Sequence, residues 1–305
     1  MRYELLGAIR LTEHDQEYPI SSPKAAALLA TLVIQAGRVV PTSQLLAELW
    51  PEAYPARAMG ALHVYISQLR KLIRTPIEAT SSIETCSPGY RLHTAGDQTD
   101  IALFWQDLAN ARTQLRSNTP HEALQTLNTA LSRWRGPRAL AGLRGGPLLN
   151  GFAAWTEESR LECLETRIEA NLITHRHRET VGELIALIDS YPLRESFYKL
   201  LMLALYFSNR QADALHVYQR ARNTVRTELG VEPCHSLRDL QQAILSSGPQ
   251  LHDYLTHATT PAPNPVVSAA APVTAPASAP APATTLRHNG RPVRTSQHAK
   301  QPAPL

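Results

Sequence analysis

Four clusters in the sequence hold residue types able to do chemistry. Cys234-His235 sets a thiol beside an imidazole, the start of an activated nucleophile, but no orienting third group or oxyanion motif accompanies it. His175-Arg176-His177-Arg178 places imidazoles and guanidiniums in direct succession. Adjacent helical residues diverge by about 100°, so a helix cannot converge them on one ion, and the run is expected at a bend between two helices. The glycines between Gly142 and Gly151 lack the Gly-Lys-Ser/Thr ending of a phosphate loop and read as a connector. Catalysis is not indicated, and no cofactor or metal is implied.

The fourth cluster differs in kind. Arg57 to Arg74 reads as one amphipathic helix. Leu62, Tyr65 or Ile66, Leu69 and Leu72 or Ile73 recur at helical spacing, and Met59, His63, Ser67, Arg70, Lys71 and Arg74 fall on the opposite face. Ser87-Pro88-Gly89-Tyr90-Arg91-Leu92 follows as a turn running into a strand. A helix of this size fits the major groove of DNA, the groove with an unambiguous base code. His63, Ser67 and Gln68 are suited to base edges. Lys71 and Arg74 suit phosphates, where charge sets register and carries no sequence information. Tyr65 fits either core packing or a phosphate hydrogen bond, and Arg91 fits either a backbone contact from the hairpin or a brace within the sheet. A small basic cluster such as Arg70, Lys71 and Arg74 most commonly marks a solvated helix face. The position of this helix as third in a trio, with a hairpin behind it, favours DNA.

The elements needed to carry that helix are legible around it. Tyr3-Glu4-Leu5-Leu6, Ile9-Arg10-Leu11 and Tyr18-Pro19-Ile20 suit a small antiparallel sheet with a turn near His14-Asp15. Ser22-Pro23 opens a helix with Ser as N-cap and Pro at the first position. Thr42 is expected to cap a second helix carrying Leu45, Leu46, Leu49 and Trp50. Ile77 to Leu92 predicts a hairpin with its tip near Thr80-Ser81-Ser82. From about Asp97 the pattern is purely helical, with stripes at Ile101, Phe104, Leu108 and Leu115, then Leu124, Leu127, Leu131 and Trp134. After a Gly/Pro-rich connection from Gly136 to Gly151, helices are expected from Leu161, around Val181, Leu184, Ile185 and Ile188, from Phe197, and from Ala214. Trp134, Trp155, Tyr206 and Tyr218 read as core aromatics. A weak match of Leu172–Ile185 to Leu205–Tyr218, at a period of 33 residues, close to the roughly 34 of tetratricopeptide hairpins, points to tetratricopeptide-like repeats. The expected architecture is mostly α: a winged helix-turn-helix at 1–95, an all-α repeat domain at 96–250, and a Pro/Ala-rich tail at 251–305. Ten of the 23 prolines lie in that tail and no aromatic follows Tyr254, so it is expected to be disordered.

Charge supports this only locally. The formal balance of +4 comes mostly from the tail, because residues 1–95 hold nine basic and eight acidic side chains. The case for DNA therefore rests on placement within one helix and not on the isoelectric point. Cys86, Cys163 and Cys234 form no CxxC pair, which fits a reducing cytoplasm without disulfides or structural zinc. Glu4 and Arg10 interrupt any signal-like run, and Ala25–Ile34 is too short to span a bilayer. A cytoplasmic protein without a membrane partner is expected.

With both halves in view, the chain resembles the Streptomyces antibiotic regulatory protein (SARP) family. The motifs are Ser22-Pro23-Lys24-Ala25-Ala26-Ala27-Leu28-Leu29, Arg38-Val39-Val40-Pro41, Leu45 to Trp50, Val64 to Lys71, and Pro88-Gly89-Tyr90-Arg91-Leu92. In the second half they are Leu193-Arg194-Glu195, Leu200 to Tyr206, and Glu228-Leu229-Gly230-Val231-Glu232-Pro233. Their order along one chain makes the match specific. The resemblance implies an OmpR-type winged helix joined to a bacterial transcriptional activation domain. It further implies activation of an antibiotic or other secondary-metabolite cluster. DNA direct repeats near the −35 element would be bound by side-by-side dimers, and RNA polymerase or its sigma factor recruited. Members usually carry Arg where this chain has Gln68 and often where it has Cys86; Gln pairs bidentately with adenine rather than guanine. The competing expectation is a protein-interaction adaptor whose winged helix does not bind DNA. Gly60 within the helix, costing about 1 kcal/mol against alanine, lends that alternative some support.

Overall fold

The computed structural model describes residues 1–13, 16–74, 81–94 and 98–246. The expected tail and the turn at His14-Asp15 lie outside them. The chain begins with β1 (Arg2–Glu4), β2 (Arg10–Glu13) and β3 (Gln16–Tyr18). Leu11 pairs with Tyr3 on one side and Tyr18 on the other, both antiparallel. α1 (Pro23–Ile34) opens as its residues require: Ser22 accepts from the Ala25 amide and Pro23 occupies the first turn. Every residue from Ala25 to Val33 is buried, which makes α1 the axis of the N-terminal half. Its one polar member, Thr31, donates to the Ala27 carbonyl at 2.8 Å and so satisfies its hydroxyl within the helix.

β4 (Val39–Pro41), α2 (Thr42–Leu49), α3 (Ala58–Arg74), β5 (Ser82–Cys86) and β6 (Gly89–His93) complete the winged helix. The second sheet has the order β4-β6-β5, with Val40 against Tyr90 and Ile83 against Leu92. The hairpin tip is Ser87-Pro88, and of the expected Thr80-Ser81-Ser82, Thr80 lies outside the described residues, Ser81 is buried and Ser82 already starts β5. Proline lacks the N–H that a ladder position needs, so Pro88 falls in the turn. Gly89 follows it because a Cβ there would lie 1.9 Å from the Val40 carbonyl oxygen. Thr42 does not cap α2 with its side chain. Its N–H and its hydroxyl both donate to the Pro88 carbonyl, at 3.2 and 3.0 Å, and tie the hairpin tip to the start of α2.

A two-residue strand absent from the sequence reading, β7 (Gln98–Thr99), runs parallel to β1 and leads into α4 (Asp100–Arg116). α5 (Pro120–Ser132), α6 (Pro147–Ile173), α7 (His177–Ser190), α8 (Glu195–Phe207), α9 (Gln211–Leu229) and α10 (His235–Leu245) follow. α6 starts well before Leu161, so the connector is shorter than expected, and α10 was not anticipated. His175 and Arg176 do lie at the break between α6 and α7, as the diverging side chains require. Of the expected stripe on α7, Ile185 is exposed. α8 is buried from Phe197 to Leu205 apart from Lys199, the signature of a helix surrounded by others.

Two hydrophobic cores result. The first joins Tyr3, Leu11, Leu28, Leu49, Leu62, Ile66 and Leu92 to Phe104, Leu108, Leu127 and Leu149. The second gathers Ile168, Leu184, Phe197, Leu201, Tyr218 and Leu240. The first core runs across the expected boundary at 95/96 without interruption. α6, 27 residues long, contributes Cys163 and Ala170 to the first core and Leu161, Ile168 and Leu172 to the second.

Buried carboxylates sew the halves together. Asp100 accepts from the Leu5 and Leu6 amides at 2.7 and 2.8 Å, and burial raises its pKa against the opposing pull of those two bonds. Glu48 of α2, 2% exposed, accepts from the Leu148 and Leu149 amides at 2.8 and 3.1 Å. A carboxylate thus occupies the positive end of the α6 dipole and satisfies two of its orphan donors. Gly146 permits the approach, since a Cβ there would lie 2.7 Å from the Ala47 carbonyl oxygen.

Candidate nucleic-acid interface

α3 is held from behind and open in front. Leu62, Ile66, Leu69 and Ile73 are buried in the first core, one residue per turn, as a helix packed on one face requires. Among the described side chains, the outward face carries Met59, His63, Val64, Ser67, Gln68 and Lys71, all exposed. No side chain of Gly60 interrupts this face, and a Cβ there would meet open space. His63, Ser67, Gln68 and Lys71 lie within about two turns, so the structure brings these four sequence-expected residues together.

The other four are placed differently. Arg70 turns toward the hairpin: its Nε donates to the Ile83 carbonyl and its Nη2 to Thr85 Oγ1, each at 2.8 Å. Its guanidinium lies 5.9 Å from the centre of the Tyr90 ring. Arg91 stands opposite Glu84 in the β5–β6 register and grips it with two bonds of 3.2 and 2.7 Å. That pairing holds the Glu84 carboxyl below its ordinary range and raises the Arg91 guanidinium above its own. Tyr65 is half-buried against the first core. Arg74 is the last residue of α3, and its side chain lies outside the described set.

Two further residues share this surface without a place in the sequence expectations. Val64 is 53% exposed and sits one turn before Ser67 and Gln68; the helical period alone could have placed it. Ser21, just ahead of α1, donates its hydroxyl to Gln68 Oε1 at 3.1 Å. No local signal links residues 47 positions apart. Among the described residues no three metal-ligating side chains gather to hold an ion, and no helix is long and apolar enough to cross a membrane.

Two family models match consecutive stretches: "Transcriptional regulatory protein, C terminal" over residues 16–92 and "Bacterial transcriptional activator domain" over residues 99–245. The chain is 38% identical over 253 residues to regulatory protein AfsR of Streptomyces coelicolor, covering 82% of this chain and 25% of that protein. It therefore spans about a quarter of AfsR. Regulatory protein DnrI of Streptomyces peucetius is 32% identical over 255 residues, and the match covers 93% of its length. The chain is a member of the SARP family.

This SARP has the mostly helical architecture, with a winged-helix region ahead of a helical region, that its sequence led one to expect. The solved structure of Mycobacterium tuberculosis EmbR in complex with a low-affinity phosphopeptide superimposes with a TM-score of 0.78 at 31% identity. That match covers 85% of this SARP and 68% of the EmbR chain.

Proposed function

We propose that this SARP activates a secondary-metabolite gene cluster, antibiotic biosynthesis being the family's usual target, by seating α3 in the major groove of promoter direct repeats near the −35 element. Two copies bind side by side as a homodimer in the cytoplasm, on the nucleoid, and the helical region from 96 to 250 recruits RNA polymerase through the enzyme or its sigma factor. The observation that carries this reading is the exposed face of α3. His63, Ser67, Gln68 and Lys71 project from a helix whose other face is locked into the core, beside a hairpin pinned by Thr42 and Arg70. Base-reading groups on a preorganised element are what direct readout needs.

The roles divide by environment. His63, Ser67 and Gln68 address base edges, Val64 offers an apolar surface to a thymine methyl, and Lys71 and Arg74 address phosphates. Arg70 braces the hairpin. Arg91 holds the hairpin's cross-strand pair, and Tyr65 supports α3 from its flank. The test is footprinting of the promoters in the neighbouring biosynthetic cluster with the full chain. Protection of tandem repeats that disappears in a Ser67→Ala/Lys71→Ala double variant of unchanged melting temperature is the expected result. An unprotected promoter at low salt would return the adaptor reading.

A further inference from the structure

A glycine inside a helix makes it less stable than an alanine would. Gly60, the third residue of α3, has neither of the reasons for which a fold keeps one. Its backbone is outside the left-handed region, and a Cβ there would meet no atom within 4 Å. Gly151 and Gly182 face open space in the same way; what singles out Gly60 is its company. At about 100° per residue, Gly60 lies within about 30° of the line opposite the buried Leu62, Ile66, Leu69 and Ile73, as Val64 and Lys71 do. It is thus on the outermost ridge of the helix and in its first turn, where a recognition helix meets base edges. Side chains on a helix lean toward its N-terminus, so the exposed Val64, one turn on, leans toward the gap. The exposed Met59 flanks it.

We propose that Gly60 is a specificity-determining position: its missing side chain leaves a notch in the exposed face of α3 that takes the 5-methyl group of a thymine. The inference rests on the reading of α3 as the helix that enters the major groove, and it deepens the thymine contact assigned to Val64 there. The floor of the notch is the Gly60 α-carbon and its wall is the Val64 isopropyl group, so the notch is apolar. The one apolar substituent that a standard base pair shows in the major groove is the thymine methyl. Gly60→Ala would fill the notch and hold the helix off the bases.

The test begins with selection of a preferred duplex from a random pool by the full wild-type chain. Each thymine of that duplex is then replaced in turn by deoxyuridine, which lacks only the methyl. One replacement per repeat should weaken wild-type binding about fourfold, the worth of one buried methyl group. That comparison involves no variant and so is independent of folding. Gly60→Ala should bind the thymine duplex at least about fourfold more weakly than wild type and should not distinguish it from the deoxyuridine duplex. Its melting temperature should nevertheless rise, and a loss of affinity beside a gain in stability is what a merely structural glycine would not give. Gly182→Ala, the same exchange in α7, should also raise the melting temperature and leave both affinities at wild-type values. The salt dependence of binding should be the same for wild type and Gly60→Ala, since no phosphate contact is lost. The inference is overturned, with the DNA reading left standing, if no thymine replacement weakens the wild type. It is equally overturned if Gly60→Ala keeps wild-type affinity, keeps the full thymine preference or shows a shallower salt dependence. If the wild type selects no motif, both fall.

Discussion

Lys71 and Arg70 are neighbours in sequence, yet their removal should have different consequences. Lys71 projects from the open face of α3. Lys71→Ala should weaken binding about equally on all sequences and lower the slope of log K against log salt by about one. Arg70 spends its donors on Ile83 and Thr85. Arg70→Ala should cost about 1–2 kcal/mol of folding stability through the lost hairpin bonds, with a smaller change in salt slope than Lys71→Ala. Titrations at several salt concentrations beside thermal melts separate the two. Equal salt slopes for the two variants would sink this division of labour. In the sequence both side chains belong to one basic cluster on a polar face. What divides them is a hairpin that reaches Arg70, and helical periodicity carries no information about that neighbour.

At the scale of elements, the joint between α2 and α6 is the place to look. Glu48 accepts from two amides at the start of α6 while itself almost wholly buried. Glu48→Gln keeps the shape but replaces one acceptor oxygen with an amino group that faces an amide donor. Charge-assisted hydrogen bonds of this kind are worth about 1.5–3 kcal/mol each, so a loss of about 2 kcal/mol is expected. Denaturant midpoints measure it, and an unchanged midpoint would show that the cap contributes nothing.

Most elements were legible in the sequence because their signals are local: Ser22-Pro23 for α1, the repeated apolar spacing for α3 and α8. The misses share a cause. β7 is two residues long and exists only because β1 lies beside it. The start of α6 is capped by a side chain 100 positions away. Thr42 has the chemistry of an N-cap, but Pro41 holds that position and the Thr42 hydroxyl, one residue inside the helix, donates to the Pro88 carbonyl. Of the candidate site, the helix and four of its exposed side chains could be read. The bonds that occupy Arg70, Arg91 and Gln68 come from other elements and could not.

For the whole molecule, one carboxyl group contributes a pH dependence large enough to isolate. Glu169 on α6 is pushed up to about 8 by burial and by the nearby Glu165, with Lys199 pulling the other way. A folded-state pKa above the unfolded value near 4.5 means that the folded protein holds this proton more tightly. This group's contribution to stability is therefore full below about pH 4.5 and declines as pH rises toward about 8. Glu169→Gln should remove that decline, which is at most about 1.4 kcal/mol per pH unit, and make the protein more stable than wild type at pH 8. Melting temperatures of both proteins from pH 5 to pH 8.5 test it; parallel curves would argue against the assignment.

α6 belongs to both cores and is 27 residues long, about 40 Å of continuous helix at 1.5 Å per residue. In the proposed function, a helix rooted in both cores ties the far end of this unit to α3 and so to one azimuth about the DNA axis. Promoter output then becomes a question of phase. Moving the repeats by 5 base pairs, half a turn of B-DNA, should carry the activating surface to the wrong side of the duplex and silence a reporter. Moving them by about 10 should restore it.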